Sequence, residues 1–297
     1  MRSAATIGLV CLSVLRPAQT EKFTISAAPK PGQTVHYTAT QELVLEMTPD
    51  VPPDAPAGQA STLPTMKMAG KTTLAFTETS GAPDAQGRMT ALLTYEQASG
   101  EMSVNGIPMP MTGKSADLAG KTFTLVFGAD GRVVDVTSPP EIEAVLGPAK
   151  QFVIDMYKIV PIATLAIGES ATAPFSIPLP IPVPGTGPIV MDGQTKTTLV
   201  SVDAEGPEHI AKCDQIIEVA MAQPKGDPAP GTDRGMSMDL KMRGVGTLQF
   251  NVDRSVMKST EYETTLDGLL SFGGAASATP TSAKIHGVIK TTMTGKY

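Results

Sequence analysis

Tryptophan is absent from this chain of 297 residues, and aromatic residues make up only 4% of it. Flat aromatic platforms are what sugar-binding and single-strand-binding surfaces commonly use, so both classes are disfavoured. A cationic excess is missing as well: 23 Lys and Arg stand against 29 Asp and Glu, a net charge of -6. Polyanions find no basic field here, which argues against a nucleic-acid partner. No run approaches the ~20 apolar residues of a helical membrane span, so the chain does not read as transmembrane. Cysteine is nearly missing, with only Cys11 and Cys213. If the N-terminal segment is removed, Cys213 is left alone, unable to form an internal disulfide, and reads as a half-buried core thiol.

The usual marks of catalysis are also missing. No Gly-x-Ser-x-Gly elbow occurs, and His36, His209 and His286 fall on separate expected strands with no acid or nucleophile at a telling spacing. The chain is therefore read as non-enzymatic. Ala69-Gly70-Lys71-Thr72 and Ala119-Gly120-Lys121-Thr122 look like the tail of a phosphate loop, but the earlier glycine would fall at Thr65 and Ser115, so both are expected to be β-turns. Zinc has no Cys-x-x-Cys or His-Glu-x-x-His and calcium no acidic loop, so no metal or cofactor is expected.

What is present starts with Met1-Arg2 and an uncharged apolar run through Leu15, the pattern of a short signal peptide over residues 1–20. It places the protein outside the cytoplasm, in the periplasm or on the cell envelope; a buried N-terminal strand or helix is the other reading. Ser138 and Glu141 then form a capping box with Pro139 at N1, and Ile142, Val145, Leu146, Ala149, Phe152, Val153, Met156, Ile159 and Val160 follow helical spacing. This predicts a central helix over 138–165, kinked at Gly147-Pro148 and packed on a sheet.

On either side the period is two. Val35, Tyr37 and Ala39 alternate with His36, Thr38 and Thr40, and Met89, Ala91, Leu93 and Tyr95 line one side of another strand. Asn105-Gly106 suits a type I′ hairpin and Ala129-Asp130-Gly131 a second hairpin. Six further strands are expected between Ser170 and Lys296. Pro178, Pro180, Pro182 and Pro184 would strip donors from one edge, which demands an edge strand or polyproline segment. The segments 21–137 and 166–297 read as two similar β halves: Gly32-Gln33-Thr34-Val35 corresponds to Gly168-Glu169-Ser170-Ala171, and Phe123 to Val136 corresponds to Leu248 to Ser259. The expected fold is mainly β, two similar antiparallel curved sheets resembling half-barrel meanders, with the helix packed on them.

Methionines repeat with period two at Met66 and Met68, at Met109 and Met111, and at Met236, Met238 and Met242, with Leu240 among the last set. Flexible, polarizable side chains on one strand face suit a surface that fits varied apolar ligands, and they also fill ordinary cores. Met66, Met68, Met236, Met238, Leu240 and Met242 are the candidate ligand-binding residues.

Lys30-Pro31-Gly32-Gln33-Thr34-Val35-His36-Tyr37, the Met66-Lys67-Met68 strand, Leu118 to Phe123 running on to Asp130-Gly131-Arg132-Val133, Ile167-Gly168-Glu169-Ser170 and Gly244 to Phe250 together carry a resemblance. On these residues the chain resembles an uncharacterised family of exported bacterial proteins, a domain of unknown function. Ala171 stands where such proteins usually show tryptophan. The resemblance implies a signal peptide and strand-rich halves, and no activity. More distantly, a curved sheet closed by a helix is similar to the periplasmic lipoprotein carriers, which hold acyl chains in a half-barrel. The function these readings favour is a non-enzymatic exported envelope protein holding a lipid or acyl chain in a β cavity. A structural or protein-interaction module with a filled interior is the alternative, and an unrecognised enzyme comes third.

Overall fold

The computed structural model describes residues 21–26, 28–50, 64–109, 119–140, 154, 162–178, 190–222, 236–272 and 281–297. Strands dominate them: β1 (Lys22–Ile25), β2 (Thr34–Asp50), β3 (Met66–Ser80), β4 (Met89–Val104), β5 (Ile107–Met109), β6 (Thr122–Phe127), β7 (Val133–Thr137), β8 (Ala163–Ala166), β9 (Ser170–Pro178), β10 (Val190–Glu205), β11 (Glu208–Ala222), β12 (Met236–Asn251), β13 (Val256–Phe272) and β14 (Thr281–Lys296).

Twelve of them form one antiparallel sheet in the order β7-β6-β4-β3-β2-β14-β13-β12-β11-β10-β9, with β5 added to β4. The expectation of two separate sheets is thereby corrected. The last strand, β14, lies between β13 and the first long strand, β2, pairing along its whole length from Ser282 opposite Asp50 to Lys296 opposite His36. Neither half keeps a free edge there, and unpaired backbone donors along strands roughly 50 Å long would otherwise invite association.

The central helix expected over 138–165 falls mostly outside the described residues: only 138–140, 154 and 162–165 of it are described, no helix stands among the described elements, and residues 163–165 belong to the strand β8. Ile154, which lies off the expected apolar stripe, packs on the cluster of Met89, Ala91, Leu93, Phe123, Leu125, Phe127, Val133 and Val136. The signal-peptide segment and Met111 lie outside the described residues.

Two short strands went unforeseen. β1 and β8 pair with each other, Lys22 opposite Ala166 and Ile25 opposite Ala163. Their Ile25 and Leu165 pack on Leu199, Ala211, Cys213, Leu248 and Phe250 of the large sheet. Cys213 is buried rather than half-buried, at 1% exposure.

Local readings mostly hold. Val35 and Tyr37 are buried while His36 and Thr38 are exposed, as period two requires. Asn105 and Gly106 both take positive φ, 50° and 77°, which the twist of a two-residue hairpin demands. β9, which ends at Pro178, is the edge of the sheet. Ala69-Gly70-Lys71-Thr72, expected to be a turn, instead runs through the middle of β3, whereas Ala119-Gly120 is a turn.

The same backbone bonds seat two turns on the sheet. Gly32 N donates to Ser80 O and Ser80 N to Gln33 O; likewise Gly168 N donates to Leu199 O and Leu199 N to Glu169 O. Ser80 on β3 and Leu199 on β10 therefore hold corresponding places.

Candidate functional site

β3 is inward-facing at its even positions. Phe76 lies opposite Tyr37 of β2 and Glu78 opposite Val35. Across the other edge Glu78 is opposite Leu93 of β4 and Phe76 is opposite Tyr95. A carboxyl thus stands in the apolar phase of its strand. The end of β3 is held by Ser80, whose hydroxyl donates to Lys30 O at 2.6 Å and accepts from Gln33 N at 3.0 Å. This bolts the turn after β1 over the same face.

Between that turn and the sheet lies a cavity of about 280 Å³, lined by Ile25, Ser26 and Pro29 above and by Tyr37, Phe76, Glu78, Leu93, Leu248, Phe250, Ser255, Val256, Met257 and Met293. Leu93 on β4 and Leu248 on β12 are five strand spacings apart along the sheet, about 24 Å if it were flat. Both line this one space. The volume is near the lower end of the ~300–1,000 Å³ typical of small-molecule sites, and the lining, apolar with few polar groups, has their usual character.

An aromatic row runs along the sheet and reaches the cavity at Tyr37 and Phe76. The rings of Tyr37 and Phe76 are 5.2 Å apart, those of Phe76 and Tyr95 5.8 Å, and those of Tyr95 and Phe123 5.6 Å and nearly perpendicular. Beside them, burial pushes the Glu78 carboxyl up from 4.5 to about 7, because an ionised group loses its hydration there. Burial, reinforced by the charge of Glu78, holds the Tyr37 phenol above its ordinary value, while a backbone hydrogen bond at Met257 works the other way. No described lining residue is cationic.

The candidate methionines lie elsewhere. Met66 and Met68 sit opposite Met47 and Leu45 toward the far end of β3. Met238 and Met242 of β12 pack on a cluster of Leu240, Leu266, Leu270 and Ile285, joined by Leu45 and Met47. The expected residues thus share a face and an end of the sheet, where Leu240 is 6% exposed in a packed cluster. Met236 belongs to β12 but its side chain is outside the described residues. Met66, Met68, Met238, Leu240 and Met242 do not line the cavity; Met257 and Met293 do. Glu78 was missed, although a charged residue two places after Phe76, in the apolar phase of a strand, is a signal that sequence alone displays.

On the opposite face a hollow of about 350 Å³ is lined by threonines and by Glu42, Glu261, Glu263 and Lys290. Two of its carboxylates are already engaged, Glu42 by Lys71 at 2.9 Å and Glu263 by Lys290 at 3.4 Å. The three histidines are exposed, each beside one carboxylate: His36 and Glu96 at 3.3 Å, His209 and Asp253 at 3.0 Å, His286 and Asp267 at 2.6 Å. Thr77 Oγ1 lies 2.9 Å from His36 Nδ1 and also bonds Glu96. This group is open to water, on the face away from the cavity. Among the described residues no cluster of His, Cys, Asp or Glu could hold a metal ion, and no helix is long and apolar enough to cross a membrane.

No protein-family model matches the chain and no curated protein matches it.

Proposed function

We propose that this is a non-enzymatic exported envelope protein that holds an apolar ligand, a lipid or acyl chain, in the cavity between the β1 turn and the large sheet. The observation that carries the reading is the lining: side chains from six long strands, β2, β3 and β4 on one side of the β2 junction and β12, β13 and β14 on the other, converge on one apolar space with a single carboxyl among its described lining residues. A packed interior would not leave a space of about 280 Å³ at that point, since cores close such voids at a gain of dispersion energy. Deep burial of Tyr37, Leu93, Leu248 and Phe250 around the space makes it suited to a chain-like guest.

The far-end methionines serve as core in this reading, which moves the binding site away from Met66, Met68, Met236, Met238, Leu240 and Met242. The alternative, a protein-interaction module of the envelope, draws on Ile107 and Met109, 68% and 45% exposed on β5.

Native mass spectrometry of protein purified without detergent, followed by organic extraction, tests the reading. A stoichiometric lipid-like adduct is expected, lost in Met293→Trp, which would fill the cavity. A clean apo mass, with no uptake when lipids are offered, would sink the carrier and leave the interaction module.

A further inference from the structure

We propose that the cavity selects an apolar molecule with a cationic amine head, the head resting on Glu78 and the rings of Tyr37 and Phe76, and the tail running along Leu248, Phe250 and Met293. This inference rests on the ligand-binding reading above and adds the chemistry of the head group.

The argument is one of complementarity. Among the described lining residues Glu78 is the single carboxylate; the one other titratable group among them, Tyr37, is a buried phenol. No lysine, arginine or histidine among the described lining residues answers the carboxylate. A charge facing an apolar space without a counter-ion is costly, and a guest carrying the opposite charge removes that cost. The rings sharpen the choice. Tyr37 and Phe76, their rings 5.2 Å apart, line the same space as the carboxylate, and a cation over a ring face gains from its quadrupole where an anion is repelled. A neutral alcohol could donate to Glu78 but would draw nothing from the rings and would leave the charge of the carboxylate uncompensated. A fatty acid would set two carboxylates against each other.

The corresponding place in the other half supports a role beyond packing. Because Ser80 and Leu199 correspond, Glu78 corresponds to Thr197, two residues earlier on its strand. Thr197 is fully buried and accepts a hydrogen bond from Gln215 Nε2 at 2.7 Å. There the fold satisfies its own polar group; at Glu78 the cross-strand neighbour is Leu93, which has nothing to donate.

The test is calorimetric titration of the purified protein with decylamine, decanol and decanoate below their micelle concentrations at pH 8. Decylamine is expected to bind at least tenfold more tightly than decanol, with decanoate weakest. Glu78→Gln is expected to reduce the amine advantage to within about threefold of decanol; Glu101→Gln, an exposed carboxylate outside the cavity, is expected to change nothing. Decanoate binding as tightly as decylamine, or an amine advantage that survives Glu78→Gln, overturns the head-group inference and leaves the apolar reading standing. Failure of all three probes to bind overturns both.

Discussion

Replacing Glu78 by glutamine should stabilise the protein at high pH and leave it unchanged at low pH. Burial raises this carboxyl from 4.5 to about 7. A carboxyl held above its unfolded value binds its proton more tightly in the folded state, so folding is most favoured below pH 4.5. Stability then falls as pH rises from 4.5 to 7, and the full penalty stands above 7. At ~1.4 kcal/mol per pH unit the rise corresponds to about 3 kcal/mol, which the partial accessibility of the side chain reduces to about 2 kcal/mol. Glutamine keeps the shape and carries no charge to desolvate. The variant should match the wild type at pH 4 and exceed it by about 2 kcal/mol at pH 8, a midpoint shift of roughly 4 °C in a chain of this size. Thermal unfolding followed by circular dichroism at pH 4, 5, 6, 7 and 8 reads this directly. Two stability curves running parallel across that range would refute the reasoning, because they would mean that Glu78 is as well solvated or as well paired folded as unfolded. Saturation with decylamine should restore the wild type toward the variant at pH 8, since a ligand confined to the folded state stabilises by about 2.7 kcal/mol at a hundred times its dissociation constant.

Other perturbations probe the frame that holds the cavity. A methyl group at Gly246 would meet the Glu261 carbonyl oxygen at 2.1 Å and the Tyr262 ring at 2.4 Å, so Gly246→Ala should cost about 2–3 kcal/mol in urea unfolding, whereas a cost below about 0.5 kcal/mol would show that the strands part easily there. Asn251 is fully buried and its amide donates to Glu208 and to the Tyr297 hydroxyl, both at 2.6 Å; Asn251→Ala should cost about 2 kcal/mol, and Tyr297→Phe distinctly less. The Cys213 thiol is buried and pushed up to about 12, so thiol reagents should label it at the rate of unfolding; stoichiometric labelling of the native protein within minutes would contradict its placement.

Much of the sheet was legible because its determinants are local. Alternation in Val35-His36-Tyr37-Thr38 sets which face is buried, Asn105-Gly106 sets a hairpin, and Pro178, the described member of the proline run, ends an edge strand. Elements decided by distant partners were not legible. β1 and β8 have four residues each, too few for a period to register, and they exist because each pairs with the other across 140 residues of chain. The merging of two expected sheets into one depends on β14 meeting β2, a contact between opposite ends of the sequence that no window reveals. Of the methionine pattern, Met238 and Met242 pack on the cluster of Leu240 while Met109 is 45% exposed, and period two alone could not tell packed cluster from cavity. That distinction depends on which elements cover each end of strands roughly 50 Å long. Glu78 stood in plain view, and reading polar residues in an apolar phase as exceptions to be explained would have found it.

The correspondence between the halves yields a last perturbation, one that would close the site from within. Gln215 of β11 lies directly opposite Thr197 and donates to it; Leu93 of β4 lies directly opposite Glu78. Leu93→Gln would transplant the donor of the second half into the first. If the geometry carries over, the new amide reaches the Glu78 carboxylate, and a hydrogen bond to a charged group contributes about 1.5–3 kcal/mol, enough to offset most of the burial penalty above pH 7. The loss of an apolar side chain that is 9% exposed works against this at every pH, so the absolute stability is a poor readout. The slope is the better one. Between pH 4.5 and 7 the decline of the wild type should flatten in Leu93→Gln, and its preference for decylamine over decanol should shrink although Glu78 is untouched. A slope as steep as in the wild type, with the amine preference intact, would show that the two halves differ at this point in more than the identity of one side chain. The flattened slope would instead mean that what separates a filled polar position from a binding site here is a single cross-strand neighbour.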